Sequence, residues 1–143
     1  MQSRAISTWE GDLLAGSGTT TLQSGVAGSL PVSWPSRTEA ANGMTSPEEL
    51  IAAAHAACFN MAFSNILAGA DYESIHLETT ATATFEKTDE GFRLTTMLLS
   101  VQGDIPGIDL EVFADLAEDA KAGCPVSNAL KGNVEISVET TVV

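Results

Sequence analysis

From Ser74 to Lys87 the chain alternates with period two, with Ile75, Leu77, Thr79, Ala81, Ala83 and Phe85 on one side of an extended backbone. Thr88-Asp89-Glu90-Gly91 supplies a turn, and Phe92 to Val101 returns as a second strand, so this stretch predicts a β-hairpin. Ile105-Pro106-Gly107 breaks the pattern. Asp109 then opens a helix whose apolar side carries Leu110, Val112, Phe113, Leu116 and Ala117, ending near Gly123. Cys124-Pro125 begins a short helical segment to Leu130, closed by Gly132, and Asn133 to Val143 alternates again as a final strand.

Upstream, Thr45-Ser46-Pro47-Glu48-Glu49 carries strong helix-start chemistry. Ser46 fits the N-cap, Pro47 the first helical position, and the two glutamates face the positive end of the helix dipole. Glu49 follows Ser46 by three residues, the spacing of a capping box. The helix is predicted to run to Ala68 or Gly69, and its interior is apolar on most faces, which places it at the centre of the fold. The first third reads as short strands broken by glycine: Arg4 to Trp9, Gly18 to Gln23, and Leu30 to Trp34 ended by Pro35. Ser36 to Gly43 reads as a polar loop carrying Arg37. The sum is an α+β fold, antiparallel sheet wrapped around one long buried helix, in a single domain spanning 1–143.

Composition narrows the function classes. Hydrophobic residues make up 44% and charged ones 17%, an ordinary globular balance long enough for a real core. The net charge of −13 repels phosphate backbones and anionic bilayers, so neither nucleic acid nor membrane is expected as a partner. Met1 to Glu10 has no apolar run of a secretory signal. The stretch Leu50 to Ala70, interrupted by His55, Asn60, Ser64 and Asn65, reads as too broken for a membrane span, and a cytoplasmic protein is expected.

Two cysteines in such a chain need a reason. They form no Cys-x-x-Cys motif and supply too few ligands for a structural zinc site, even with His55. A reducing compartment disfavours a permanent disulfide, leaving inert core thiols or a transient redox pair. Cys58 lies well inside the predicted helix, with His55 three residues before it on the same face, close enough to polarise it. Alone, this is equally a core cysteine beside a hydrogen-bonded histidine. Cys124, between Gly123 and Pro125, falls at a helix N-cap where backbone N–H groups favour the thiolate, and is the thiol expected to ionise more easily. Arg37 reads either as an exposed loop cation or as a guanidinium that stabilises a thiolate. Glu48 reads as a first-turn glutamate or as a carboxylate that orients Arg37 through a bidentate pair.

The run from Thr45 to Phe59 (TSPEELIAAAHAACF) resembles the signature of the OsmC/Ohr family, which groups osmotically inducible protein C with organic hydroperoxide resistance protein. Ala120 to Ser127 (AKAGCPVS) resembles its second cysteine motif. Trp9-Glu10-Gly11 and the stretch Val101 to Asp109 are similar to the OsmC branch, so the likeness covers essentially the whole chain. The resemblance implies a dimer of two chains intertwined around paired central helices. It also implies a peroxidatic role for Cys58, a resolving role for Cys124, and a branch-specific arginine at Arg37 held by Glu48. It implies no catalytic role for His55, and the sequence carries no cofactor-binding motif, so no bound cofactor is expected. The expected reductant is an external dithiol of the dihydrolipoyl type, such as a lipoyl protein.

On this reading Cys58 thiolate attacks an organic hydroperoxide, alcohol leaves, and the resulting sulfenic acid condenses with Cys124. Phe59, Met61 and Phe63 around Cys58 suit an alkyl peroxide. The alternative is a non-catalytic stress or small-ligand-binding protein on the same fold with idle cysteines. Helix geometry adds a constraint: ten residues separate Glu48 from Cys58, or roughly 15 Å of rise and roughly 80° of rotation. Either Arg37 bridges most of that span, or Glu48 serves the Cys58 of a second chain whose helix packs antiparallel. The second arrangement also covers an alanine-rich helix that a small monomer leaves exposed.

Overall fold

The computed structural model describes all residues from Met1 to Val143. The chain forms two compact units, Met1–Leu50 and Ile51–Val143.

The first unit is a three-stranded antiparallel sheet in the order β1 (Ala5–Glu10), β2 (Ser17–Leu22), β3 (Leu30–Ser33). Side-chain ladders such as Ser7–Thr20 and Thr8–Thr19 join β1 to β2. Here the local reading needs correction. Pro35 does not end the run and Arg37 does not sit in a loop: Trp34–Thr38 is a short helix, α1. Ser33 caps it, exchanging backbone–side-chain hydrogen bonds with Ser36 at 3.2 Å each way, and Pro35 is tolerated because first-turn amides have no helical acceptor.

The long helix α2 (Pro47–Gly69) starts where its capping chemistry dictates. The Glu49 amide donates to Ser46 Oγ at 3.1 Å. The reciprocal half of the capping box is replaced, since Glu49 accepts from the Thr45 hydroxyl instead. Thr45 also donates its amide to Pro31 O, and Ser36 Oγ donates to Thr45 O, which ties α1 to the entry of α2.

The second unit contains the rest of α2, the hairpin β4 (His76–Thr88) and β5 (Gly91–Asp104), helices α3 (Leu110–Gly123) and α4 (Pro125–Leu130), and β6 (Glu135–Val142). The hairpin turns where expected, with Gly91 at φ 109°, a backbone conformation that side chains disfavour. The sheet is not wholly antiparallel, because β6 lies parallel to β5, from Thr96 opposite Glu135 to Gly103 opposite Val142. A chain returning through two helices enters the sheet from the same end, and strand alternation alone carries no such information.

One stripe of α2 enters the core of this unit: Ala52, His55, Phe59, Phe63 and Leu67 are buried at helical spacing. Phe63 packs on Phe59 and on Phe113 of α3, with ring centroids 5.6 and 4.9 Å apart, above Met97, Leu99 and Val101 of β5. The helix is central as expected, but on this chain it is buried along that stripe only. Ala53, Ala54, Ala57, Met61, Ser64 and Asn65 remain exposed on this chain. The polar breaks also fail to disqualify α2 as a span. By length and composition, at mean hydropathy 1.5, it is long and apolar enough to cross a membrane, although its buried stripe serves as a core element here.

Gly103 of β5 is the tightest point of that core. A Cβ built there would meet two ring carbons of Phe113 at 2.6 Å, and Phe113 is fully buried and cannot swing away. Gly103→Ala is expected to cost about 1–3 kcal/mol of stability through overpacking. Urea denaturation of the two proteins measures it, and equal midpoints would refute this account of the β5–α3 contact.

Candidate active site

Two polar clusters hold the residues singled out from the sequence, one in each unit.

In the first unit, Arg37 and Glu48 form a bidentate pair. Nε donates to Oε2 at 3.1 Å and Nη2 to Oε1 at 2.5 Å. The fork matches carboxylate geometry, so the guanidinium plane is fixed in orientation as well as position. The side chains are only 28% and 11% exposed, so solvent screens this pair less than an ordinary surface ion pair. Arg37 also lies over the Trp34 ring, 5.5 Å from its centroid. Trp34 was not singled out from the sequence, because the stacking depends on the helix that replaces the expected loop. The residues around Arg37 enclose a cavity of about 480 Å³, lined by Trp9, Leu13, Val32, Trp34 and Leu50. This is a mostly apolar pocket with a single oriented cation at its wall.

In the second unit the two thiols meet. Cys58, midway along α2, and Cys124, between α3 and α4, have Sγ atoms 3.3 Å apart with both cysteines reduced. A disulfide needs about 2.05 Å, so bond formation requires only a small approach. Cys58 is half-buried and Cys124 is fully buried.

Their acidities diverge. Burial pushes the Cys58 thiol up; the Val126 amide opposes this, and the neighbouring Cys124 adds to the rise. Burial also acts to raise Cys124, but the Ser127 amide, the Cys58 thiol, the Ser127 hydroxyl and the Val126 amide outweigh it, and its pKa lies below the ordinary thiol value. The cap is electrostatic: no fully formed side-chain cap hydrogen bond closes onto the α4 amides. The two thiols interact closely enough to titrate as a pair, with the local amides and the Ser127 hydroxyl favouring charge on Cys124. Once Cys124 ionises, Cys58 is the hydrogen-bond donor between them.

His55 does not serve Cys58 as its spacing suggested. It is fully buried, and its Nε2 lies 2.7 Å from Ser127 Oγ, while Nδ1 has no hydrogen-bond partner. Ser127 was overlooked in the sequence. Its signal was its place three residues after the Cys124 cap, from which an N3 side chain turns back toward the cap. No group of three or more His, Cys, Asp or Glu side chains could hold a metal ion.

The chain is α+β, with a long apolar helix and two reduced cysteines that face each other. Residues 40–139 match the family model described as OsmC-like protein, and the chain belongs to that family. It is 43% identical over 131 residues to peroxiredoxin OsmC of Escherichia coli (strain K12), covering 92% of this chain and 91% of that protein. It is 33% identical over 99 residues to the organic hydroperoxide resistance protein OhrA of Bacillus subtilis (strain 168), covering 66% of each. The crystal structure of an organic hydroperoxide resistance protein from Elizabethkingia anophelis superposes with a TM-score of 0.78 at 28% identity, covering 100% of this chain and 99% of that one.

Burial of His55 predicts a pH dependence of stability. Desolvation lowers its folded-state pKa below 6.5, so the unfolded chain takes the proton first as pH falls. The stability it contributes is complete above about 6.5 and declines below that, down to the folded pKa. Thermal melts of the wild type and His55→Gln at pH 7.5 and 5.0 test this, with a smaller pH-induced drop expected for the variant. Equal drops would show that His55 is not held neutral by burial.

Proposed function

We propose that this protein is a soluble, cytoplasmic, cysteine-based peroxidase that reduces organic hydroperoxides to alcohols and is recycled by an external dithiol of the dihydrolipoyl type. The observation that carries the reading is the 3.3 Å approach of Cys58 and Cys124, two reduced thiols of unequal exposure and acidity. The names of its relatives, peroxiredoxin OsmC and organic hydroperoxide resistance protein, point the same way.

Cys58 is the peroxidatic residue because it is the more exposed thiol. Its thiolate attacks the distal peroxide oxygen, the O–O bond breaks, and the alkoxide leaves as alcohol, with a sulfenic acid on Cys58. Cys124 thiolate then attacks that sulfur, water leaves, and the disulfide forms. Cys58 is the less acidic member of the pair, so its ionisation needs a cation that its own helix does not supply. Arg37, oriented by Glu48, fills that role and stabilises the charge developing on peroxide oxygen. The apolar cavity beside Arg37 favours an alkyl hydroperoxide over hydrogen peroxide.

The active unit is a homodimer in which Arg37 and Glu48 of one chain serve Cys58 of the other, the arrangement that the ten-residue spacing favours. It also covers the exposed alanine face of α2.

Three variants test the reading with cumene hydroperoxide and a lipoyl dithiol. Cys58→Ser is expected to abolish consumption. Cys124→Ser should allow a single oxidation, leaving a sulfenic acid that dimedone traps. Arg37→Ala should slow oxidation of Cys58 at neutral pH by about tenfold or more, the usual weight of one charge-assisted contact. Full activity in Cys58→Ser would overturn the proposal.

The shared site has its own test. Cys58→Ser and Glu48→Ala chains, unfolded and refolded together, should regain activity in heterodimers with one intact site. No recovery in confirmed heterodimers would place all the residues of a site on one chain.

A further inference from the structure

His55 is the one buried polar side chain whose second ring nitrogen finds no partner, and the peroxidase scheme above gives it nothing to do. A fully buried, half-satisfied imidazole costs stability that an apolar residue in the same place avoids. Its other nitrogen is engaged at 2.7 Å by Ser127, itself only 4% exposed. Ser127 stands at the third position of the helix that Cys124 caps, and its hydroxyl acts to lower the Cys124 pKa. Three buried side chains from α2 and the α4 segment therefore cluster behind the less accessible thiol.

The chemistry of such a cluster depends on where the protons sit. Burial keeps His55 neutral. With its single proton on Nε2, His55 donates to Ser127 Oγ. The Ser127 hydroxyl proton is then free to donate to Cys124, and a hydroxyl that also accepts a hydrogen bond is a stronger donor. The opposite tautomer reverses the first link, uses the serine proton on the imidazole, and leaves an N–H group at Nδ1 buried without an acceptor.

Cys124 carries most negative charge when the disulfide is opened. The incoming dithiol thiolate can approach Cys58, which is half-buried, and not Cys124, which is fully buried. Attack on Cys58 forms a mixed disulfide there and breaks the Cys58–Cys124 bond, and the electron pair departs on Cys124 Sγ. The second thiol of the reductant then displaces Cys58, leaving a cyclic disulfide of the reductant and two reduced cysteines, and the reductant's two protons balance the two new thiols. Exchange is fastest when the leaving sulfur is stabilised as thiolate.

We propose that His55 and Ser127 form a buried hydrogen-bond relay that holds Cys124 as the leaving thiolate, so that the external dithiol opens the disulfide by attacking Cys58. His55 acts through Ser127 and is a positioning residue. The inference rests on reading Cys58 and Cys124 as a redox pair, and it extends that reading to the step that regenerates the enzyme. Lys121, itself paired with Glu118, and Lys131 line the cavity that Ser127 also lines.

The test uses the full chain oxidised to its disulfide with diamide, then reduced by dithiothreitol in stopped flow. Ser127→Ala and His55→Leu are each expected to slow reduction about tenfold, the weight of one hydrogen bond to a charged group moderated by the leaving-group dependence of exchange. The double variant should be no slower than either single one, because both cut the same line. Ser127→Thr and His55→Gln keep a hydroxyl and an N–H donor, and should stay within about threefold of the wild type. Thiolate absorbance on a Cys58→Ser background should show the Cys124 titration moved upward by Ser127→Ala and His55→Leu but not by the conservative pair. Unchanged rates, equal slowing by the conservative variants, or additive slowing in the double variant would each overturn the relay. Peroxide takes no part in these measurements. A wild type that forms the disulfide yet consumes no hydroperoxide, with variants that still slow its reduction about tenfold, would sink the peroxidase reading and leave the relay standing. Failure of diamide to form the disulfide would end both.

Discussion

The contact between Phe63 on α2 and Phe113 on α3 holds together the two segments that carry the cysteines. Each ring is fully buried, their centroids lie 4.9 Å apart, and Gly103 leaves just the room that Phe113 occupies on β5. Cys58 lies little more than one turn before Phe63, and Cys124 directly follows the helix that carries Phe113. An error of an ångström or two in how these helices pack would separate the thiols beyond reach of exchange. The aromatic core is therefore a positioning device as much as a source of stability, because close-packed interiors have no slack with which to absorb such shifts.

Charge is used sparingly in this chain. Against a net charge of −13, the guanidinium of Arg37 is withdrawn from bulk solvent, locked by two hydrogen bonds to Glu48 and stacked on Trp34. A cation held in that way keeps its orientation, whereas a free surface arginine would be surrounded by competing carboxylates. The neighbouring cavity presents mainly apolar walls beside that one fixed positive group.

The two cysteines differ by environment and not by residue type. Cys58 is half-buried with its pKa pushed up, and Cys124 is fully buried with its pKa held down. The proposed cycle uses that asymmetry, with one sulfur meeting every external reagent while the other only attacks or leaves. Ser127 and the α4 amides create the difference, and His55 completes the polar cluster behind them.

Much of this was legible in the linear chain. Proline and serine at Ser46-Pro47 set the start of α2, the period-two run after Ser74 set the hairpin, and Cys124-Pro125 marked both a helix start and the more acidic thiol. All of these follow from interactions among residues a few positions apart, which is why a sequence displays them. Spatial pairing was different. The spacing of Cys58 and His55 suggested a mutual contact, yet the imidazole turns to Ser127, 72 positions away. The loop expected at Arg37 became a helix because Ser33 and Ser36 cap its start reciprocally and the Glu39 amide closes its end on Pro35 O. The parallel course of β6 and the exposed alanine face of α2 likewise depend on which surfaces meet. The sequence by itself determined most of the elements, the candidate residues and the direction of thiol acidity, since those arise locally. Only the tertiary structure decided which side chains share a hydrogen bond, because packing long-range apolar surfaces sets those distances.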